Sequence, residues 1–252
     1  MTRSHDAVTH AQFGPRASAY VQSAVHASGP DLDMLEAAAR ASGAERALDL
    51  GCGGGHAAYR IAAHVGEVTA CDLSAEMLAA VAEAARERGL GNIATEQGAA
   101  EALPFADGAF DFLACRYSAH HWRDLDAGLR EARRVLRAGA AAVFIDAVSP
   151  GAPLLDTHLQ AIELLRDTSH VRDYSIAEWT AAMTRAGFQP TSVHRLGVRM
   201  DFPTWIQRMR TPGPLAEAVR GLQAVASEEV QTHFAIEADG SFLLDVMVLQ
   251  AT

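Results

Sequence analysis

A glycine-rich segment between Asp49 and His56 has the residue types and spacing of a ligand-binding turn. It follows an apolar run directly and precedes an amphipathic one, and glycine stands at positions 51, 53, 54 and 55. Glycine at a strand-to-helix turn lets a ligand approach the backbone, because no Cβ intervenes and positive φ is accessible. The N–H groups at the start of the next helix would face the same ligand. The segment therefore predicts a ligand site.

A second acidic residue, Asp72, ends the next apolar run, where a carboxylate can accept both hydroxyls of a ribose. Two cofactors are compatible with this arrangement. Gly53, Gly55 and Ala58 satisfy the G-x-G-x-x-A pattern of a dinucleotide site. Asp49, however, would repel a pyrophosphate and suits a bound ammonium, such as that of S-adenosylmethionine. The acidic residue therefore favours S-adenosylmethionine over NAD.

Three features in this order resemble the class I S-adenosylmethionine-dependent methyltransferases. The first motif of that family, D/E-x-G-x-G-x-G, is matched by Asp49 and the glycines at 51, 53 and 55. Asp72 matches the family's acidic residue at the end of the second strand. Residues 101–105 and 110–111 resemble the A-E-x-L-P-F…F-D stretch of the ubiquinone/menaquinone C-methyltransferase-like (methyltransferase type 11) branch. The resemblance covers about half of the chain and implies S-adenosylmethionine as cofactor.

The resemblance also implies which residues contact that cofactor. Asp49 and the glycine loop would hold the methionine part, and Asp72 would hold the ribose. Leu73 and Met77 would lie against the adenine. Many relatives have an aspartate at the position of Ala99 that bonds the adenine amino group, so here another acceptor takes its place or the cofactor binds more weakly. The expected cofactor residues are Asp49, Gly51, Cys52, Gly53, Gly55, Asp72, Leu73, Met77, Ala99, Ala100, Glu101, Arg116 and Tyr20.

The segment after the third apolar run is the first place to look for chemistry on the substrate. Ligands of open α/β sheets lie outside the carboxyl ends of the strands, so residues 116–122 would lie beside the cofactor. His120 or His121 could remove a proton from the methyl acceptor. Tyr117 and Trp122 could hold a flat substrate. Alternatively, one histidine caps the following helix, and the pair supports the fold and the cofactor site.

An N-terminal segment is a second candidate. Residues 13–20 resemble the F-G-x-x-A-x-x-Y lead found before the fold in the same branch. Its helix would close over the cofactor, with Arg16 near the substrate and Tyr20 or His26 at the cofactor carboxylate. A simple packing arm is the alternative.

A polar cluster at residues 166–174 is the third candidate. It contains His170 and Arg172, which we expect to contact the substrate if the cluster lines the mouth of the pocket. A solvated loop is the simpler expectation for such a charged stretch.

Charge and composition exclude several classes of function. There are 21 basic and 31 acidic residues, a net charge of −10, which disfavours binding to nucleic acid. The absence of lysine excludes Schiff-base enzymes and a Walker A site. The three cysteines lack zinc-site spacing, so we expect no metal and a cytoplasmic location. We also expect no membrane span and no secretory signal, because no apolar run is long enough.

The elements that would position these residues alternate as in a parallel α/β sheet. Apolar runs predict strands at residues 47–50, 67–71, 110–115 and 141–145, with a weaker one at 92–96. The predicted fold is a doubly wound, mostly parallel Rossmann-like sheet of seven strands. It would carry an antiparallel C-terminal hairpin strand and a small helical cap.

Residues 233–237 and 242–249 are expected to form that hairpin around a turn at 239–240. The predicted domain organisation is an N-terminal helical lid at 1–30 and a methyltransferase domain at 31–252, with cap elements around 150–175 and 201–228.

The predicted function is in-line transfer of a methyl group to a small molecule. Because the leaving group is already activated, the protein mainly supplies alignment and a dry pocket. An NAD-dependent oxidoreductase and a non-catalytic S-adenosylmethionine-binding protein are the alternatives. The sequence leaves open the acceptor, the methylated atom, the use of a general base and the oligomeric state.

Overall fold

A computed structural model describes residues 4–14 and 27–252 of the chain. The described residues form the strands β1 (Arg46–Leu50), β2 (Glu67–Asp72), β3 (Ile93–Gln97), β4 (Phe110–Arg116), β5 (Leu136–Ala147), β6 (Pro190–Met200) and β7 (Phe242–Ala251). Their helices are α1 (His5–Phe13), α2 (Pro30–Ser42), α3 (His56–Ile61), α4 (Ala75–Glu87), α5 (Leu125–Val135), α6 (Pro153–Arg166), α7 (Ile176–Ala186), α8 (Phe202–Met209), α9 (Gly213–Ala224) and α10 (Glu228–His233), with a 3₁₀ turn at Ala119–His121. None of these described helices is long and apolar enough to cross a bilayer.

The strands form one seven-stranded sheet in the order β3-β2-β1-β4-β5-β7-β6. The strands β1 to β5 pair in parallel, and β7 runs antiparallel between β5 and β6. This confirms the predicted doubly wound sheet with antiparallel C-terminal strands.

The central strands are apolar because helices cover both faces of the sheet. On one face, Leu113 of β4 belongs to a core that includes Leu129 of α5 and Trp179 of α7. The core on the other face includes Leu35 of α2 and Val81 of α4. With both faces buried, the ends of the strands are where loops can bind a ligand.

Two helices begin at capping residues that fix their register. The Ser74 side chain accepts a hydrogen bond from the Met77 N–H at 3.2 Å, so Ser74 is the N-cap of α4. At α7, Ser175 and Glu178 form a reciprocal capping box. The caps fix the first residue of each helix and therefore which of its residues face the sheet.

A smaller hydrophobic cluster lies among the helices that follow β5. Its largest buried side chains are Trp205, Phe234 and Phe242. Ala147, the last residue of β5, belongs to the same cluster. The cluster therefore places α6 and α8 near the carboxyl end of β5.

The predicted C-terminal hairpin is wrong in its pairing. Residues 233–237 do not form a strand, because α10 extends to His233 and a turn follows. The strand β7 pairs with β6 from Phe242 to Ala251 and with β5 from Val246 to Ala251. The segment before the turn contributes isolated backbone bonds instead of a strand: Leu243 N–H donates to the Phe234 carbonyl at 2.7 Å, and Glu237 N–H donates to the Ser241 carbonyl at 2.8 Å. The predicted turn is present, with Gly240 at a φ of 89°.

Candidate functional site

A cavity of about 450 Å³ lies at the carboxyl ends of the parallel strands. Its glycine end is lined by the loops after β1, β2 and β3, at residues 49–54, 56–57, 72–74, 77 and 98–101. Its far end is lined by residue 147 and parts of residues 163–173 and 196–209. The histidine turn, residues 116–123, lies in the lining of the same cavity. The volume falls in the range of roughly 300–1,000 Å³ that small-molecule sites occupy.

The glycine loop turns sharply at Gly51, which has a φ of 68°. The N–H groups of Gly51 and Cys52 both donate to the carbonyl of Cys71, at 2.8 and 2.9 Å. A Cβ at Gly51 would overlap the Ser118 side chain. Glycine is thus required there both by the backbone conformation and by a close neighbour. Gly53, with a φ of 48°, also lines the cavity.

Asp49 lines the cavity near the end of β1 and is 1% exposed. Its Oδ2 accepts a hydrogen bond from the Ala58 N–H at 2.9 Å. Burial raises the pKa of Asp49 to about 7, with Asp72 adding to the rise while Ala58 and Arg116 oppose it. A cation bound beside Asp49 would favour its charged form.

Asp72 is held by the backbone on both of its oxygens. Oδ2 accepts from the Gly53 N–H and Oδ1 from the Ser74 N–H, each at 2.9 Å. Burial nevertheless raises the pKa of Asp72. These two bonds connect the glycine loop to the start of α4 and fix the orientation of the carboxyl group.

The residues expected at the adenine all line the glycine end: Leu73, Met77, Ala99, Ala100 and Glu101. The carbonyl of Ala99 accepts from the Ala102 N–H at 3.0 Å. Glu101 Oε1 accepts from the Arg123 N–H at 2.9 Å, which connects this loop to the histidine turn. The replacement of the missing aspartate at Ala99 by another acceptor for the adenine amino group stays a prediction.

Arg116 lines the cavity and forms a buried ion pair. Its Nε donates to Oδ2 of Asp31 at 2.7 Å, and both side chains are 7% exposed. The next residue, Tyr117, also lines the cavity and has a φ of 51°, which is uncommon for a non-glycine residue. Sequence reasoning missed Asp31, since an acidic residue after Pro30 indicates only the start of a helix.

His120 is held in its protonated form. Its ring Nδ1 donates to Oδ1 of Asp146 at 2.6 Å, and its backbone N–H donates to Oδ2 of the same residue at 3.2 Å. Burial alone would lower the pKa of His120, but the Asp146 charge and hydrogen bond raise it to about 9. His120 is therefore a cation at neutral pH. Asp146 was also missed, although an acidic residue ending a strand is the same signal that identified Asp72.

His121 is in the opposite state. Burial and the neighbouring His120 cation, whose ring centre is 4.1 Å away, lower the pKa of His121. Its Nδ1 lies 3.1 Å from the Ser169 carbonyl, so Nδ1 carries the proton and Nε2 keeps a lone pair, with Asp167 Oδ2 at 4.0 Å from that nitrogen. Neither histidine caps the following helix, because Asp124 is the N-cap of α5.

The other aromatic residue predicted for the substrate, Trp122, lines the cavity as Tyr117 does. Its Nε1–H donates to Ser118 Oγ at 3.2 Å. A Cβ at Gly128 would overlap the indole ring, so the helix α5 packs directly against it. Trp122 thus forms part of the wall while supporting the fold.

The polar cluster at residues 166–174 is not the solvated loop that was expected. Asp167, His170 and Asp173 are buried. Asp167 and Asp173, together with Glu163 and Arg166 of α6, line the far end of the cavity. The charged stretch is buried because α6 and the histidine turn pack against it, which the sequence pattern does not reveal.

The structure does not bring His170 and Arg172 to the cavity lining, contrary to their expected substrate contacts. His170 Nε2 donates to the side-chain oxygen of Gln160 at 2.9 Å. Arg172 reaches Asp156 and Glu178 at 3.1 and 3.2 Å. Both side chains are held by α6 and its neighbours rather than facing a ligand.

Among the remaining predicted residues, Gly55 does not line the cavity. It is the N-cap of α3 with a φ of 78°. Arg16, Tyr20 and His26 lie outside the described residues, so their expected contacts stay predictions.

Comparison with known proteins identifies the part of the chain that carries these motifs. A family model described as a methyltransferase domain matches residues 48–144. The chain is similar to the uncharacterized protein YafE of Escherichia coli (strain K12), with 46% identity over 78% of this chain and 95% of YafE. It is also similar to the uncharacterized methyltransferase YcgJ of Bacillus subtilis (strain 168), with 32% identity over 94% of this chain and 96% of YcgJ.

The crystal structure of YcgJ has a TM-score of 0.81, covering 88% of this chain and 97% of that chain. A more distant relative is the ubiquinone/menaquinone biosynthesis C-methyltransferase UbiE of Sinorhizobium fredii (strain NBRC 101917 / NGR234). It is 35% identical over 46% of this chain and 46% of UbiE.

Proposed function

Since the chain belongs to the class I S-adenosylmethionine-dependent methyltransferases, we propose that it methylates a small molecule held at the far end of the cavity. One observation carries the proposal: the glycine end and the far end belong to one cavity of about 450 Å³. The name of the UbiE relative, a biosynthetic C-methyltransferase, supports a small acceptor. The net charge of −10 supports the expectation that nucleic acid is not the acceptor.

S-adenosylmethionine is the cofactor of this family, and the glycine end suits it. Asp49 is a buried carboxyl that the ammonium of the cofactor would stabilise as a carboxylate. Each oxygen of Asp72 accepts one backbone N–H and keeps a lone pair for a ribose hydroxyl. We assign Asp49 to the amino group, Asp72 to the ribose, and Leu73 and Met77 to the adenine.

When bound, S-adenosylmethionine supplies a methyl group that is already activated for in-line displacement. The residues of this chain therefore have to align the acceptor and exclude water. Trp122 and Trp205 provide apolar wall, and α1 contributes Phe13, whose ring lies edge-on to His121 with centres 4.9 Å apart. We assign α1 to the proposed lid at residues 1–30.

We assign the role of general base to His121 and a positioning role to His120. His120 is already protonated at neutral pH because of Asp146, so it cannot accept another proton. His121 is neutral and keeps the Nε2 lone pair, since its Nδ1–H is used by the Ser169 carbonyl. Because burial and the His120 cation lower the pKa of His121 to about 3, Nε2 is a weak base. It therefore suits an acceptor whose proton is already acidic or becomes acidic as the methyl group is transferred.

The three cysteines, Cys52, Cys71 and Cys115, are free and buried. Their reduced state supports a cytoplasmic location, which we propose for the protein.

The proposed function is tested by release of S-adenosylhomocysteine from S-adenosylmethionine. The purified protein would be assayed against small phenols, quinols, amines and carboxylic acids, and the methylated atom of any product identified by mass spectrometry. We expect turnover above the acceptor-free background with at least one class. Tight cofactor binding without turnover on any class would instead favour the non-catalytic alternative.

A further inference from the structure

Resting on the proposed transfer to a small acceptor, we propose that Glu163 and Asp173 together bind a protonated amine of that acceptor. These two residues, the carboxyl pair, both line the far end of the cavity. Glu163 is 6% exposed and Asp173 is 1% exposed. The substrate class is therefore a compound with a cationic nitrogen, and that nitrogen anchors the substrate while another atom receives the methyl group.

One oxygen of the Asp173 side chain lacks a hydrogen-bond partner among the described residues, although the backbone of Asp173 is held on both sides. The Gln160 side chain accepts from the Asp173 N–H at 3.1 Å and donates to its carbonyl at 2.8 Å. The Asp173 Oδ2 atom is enclosed, and within residues 4–14 and 27–252 it has no hydrogen-bond partner. An unsatisfied buried carboxyl oxygen is costly, and Asp173 lines the cavity, so a bound molecule that carries a donor and a positive charge would relieve this cost.

The loop that carries Asp173 is fixed to the histidine turn. The N–H groups of Val171 and Arg172 donate to the carbonyl of His120, at 2.8 and 3.2 Å. Asp173 therefore has a fixed position close to the proposed site of transfer.

The local charges leave the carboxyl pair short of a cation. His120 is engaged by Asp146 at 2.6 Å, and Arg166 reaches Glu163 at 3.4 Å. Burial raises the pKa of Glu163 and of Asp173, and the closeness of Glu163 raises that of Asp173 further. A bound cation would relieve both effects, since it favours the charged form of each carboxyl.

An amine fits this end of the cavity better than the other common head groups. An ammonium offers three donors and a positive charge, which suit two carboxyls. A carboxylate or phosphate would add negative charge beside the carboxyl pair, where Arg166 already pairs with Glu163 and donates from Nε to the Trp205 carbonyl at 3.1 Å. Because Arg208 also lines this end, an anionic probe is part of the test. A hydroxyl would supply one donor but no charge.

The surrounding wall suits an apolar body on such an amine. Met200, Trp205 and Leu244 line the same end of the cavity. The Arg166 guanidinium lies 4.7 Å from the centre of the Trp205 ring, so one face of the indole is already covered. An aromatic or alkyl amine would place its carbon atoms against this wall and its nitrogen against the carboxyl pair.

Three probes of matched size test the proposal: benzylamine, benzyl alcohol and benzoate. Their affinities would be measured at pH 7.5 by ligand-observed NMR on protein saturated with S-adenosylhomocysteine. We expect benzylamine to bind at least about tenfold more tightly than benzyl alcohol, and benzoate most weakly, because the amine gains charged hydrogen bonds. Equal or tighter binding of benzyl alcohol or benzoate would overturn the proposal, as would absence of benzylamine binding.

The substitution Asp173→Asn locates the effect. It should weaken benzylamine at least about tenfold and change benzyl alcohol by less than about twofold. Asp156→Asn is the matched control, because Asp156 lies on the same helix as Glu163 but pairs with Arg172 away from the cavity. Unchanged benzylamine affinity in Asp173→Asn would contradict the assignment. Thermal unfolding checks that both variants fold. If one variant does not fold, the three probes on the unsubstituted protein decide the question.

Calorimetry with S-adenosylhomocysteine alone separates this proposal from the proposed function. Failure to bind that ligand would refute the cofactor site, and the probes would then be titrated without it. Benzylamine selectivity in that case would still support the carboxyl pair, whereas its loss would refute the amine site independently.

Discussion

The two ends of the cavity are built from different parts of the polypeptide. At the glycine end, backbone groups of a short turn set the geometry: the N–H groups of Gly51 and Cys52 share one carbonyl. At the far end, charged side chains such as Glu163 and Asp173 come from α6 and the loop after it. A short turn can specify a site through local sequence, whereas the far end depends on how distant segments pack.

The two ends also differ in how their carboxyl groups are satisfied. Asp49 and Asp72 accept backbone hydrogen bonds at 2.9 Å. Asp173 has an enclosed oxygen with no partner among the described residues. We therefore expect substitutions at the glycine end to change cofactor affinity, and substitutions at the far end or histidine turn to change acceptor binding and turnover.

The largest effect on the glycine end is expected from Gly51→Ala. The added Cβ would overlap Ser118 and stand at a φ of 68°, so the loop has to move. Calorimetry should show a loss of S-adenosylhomocysteine affinity of more than about a hundredfold. Gly43→Ala is the control, since Gly43 has a φ of 61° but open space around it. It should cost about 1–2 kcal/mol of stability and leave affinity unchanged. Unchanged affinity in Gly51→Ala would contradict the account.

At the histidine turn, His121→Ala should lower turnover by about a hundredfold or more while cofactor affinity stays within about twofold, because a positioned base is lost. The measurement is kcat with an identified acceptor, alongside calorimetry. His64→Ala serves as control, since His64 pairs with Glu36 away from the cavity. Undiminished turnover would contradict the base role. A loss of cofactor affinity as large as the loss of turnover would instead place His121 at the glycine end.

An intermediate effect is expected from Asp72→Ala. A hydrogen bond to a charged acceptor contributes roughly 1.5–3 kcal/mol, so S-adenosylhomocysteine affinity should fall at least about tenfold. Asp111→Ala provides the comparison, because Asp111 binds the Arg46 N–H at 2.8 Å near the start of β4 and does not line the cavity. Equal affinity of the Asp72 variant and the unsubstituted protein in calorimetry would refute the ribose assignment.

The smallest effect is a pH dependence at the glycine end. The pKa of Asp49 is raised to about 7, so the carboxyl is mostly neutral at pH 6 and mostly charged at pH 8. Affinity for S-adenosylhomocysteine should therefore rise by about tenfold from pH 6 to pH 8 and level off above. In Asp49→Asn the affinity should be lower and nearly independent of pH. The same slope in both proteins would assign the titration to another group.

The glycine end could be predicted from sequence because its signals are local. Asp49, Gly51 and Gly53 lie within five residues, and Asp72 ends the next strand, so strand order and turn geometry place them together. Most of the strands could be predicted for a similar reason, since the central ones are continuous apolar runs.

The far end could not be predicted because its residues meet only through tertiary packing. Glu163 lies on an amphipathic helix and Asp173 in a charged stretch, and neither segment carries a distinctive pattern. The same limit explains the incorrect hairpin: residues 233–237 resemble a strand, but α10 extends to His233, and the strands that pair with β7 are β5 and β6, which are distant in sequence.

The most direct test of the account is a crystal structure with S-adenosylhomocysteine bound. We predict that the ribose hydroxyls lie within about 3.2 Å of the Asp72 carboxylate and that the amino group lies beside Asp49, with the far end left open for the acceptor. A ligand whose ribose lies away from Asp72, or which occupies the far end, would contradict the division of the cavity into a cofactor end and an acceptor end.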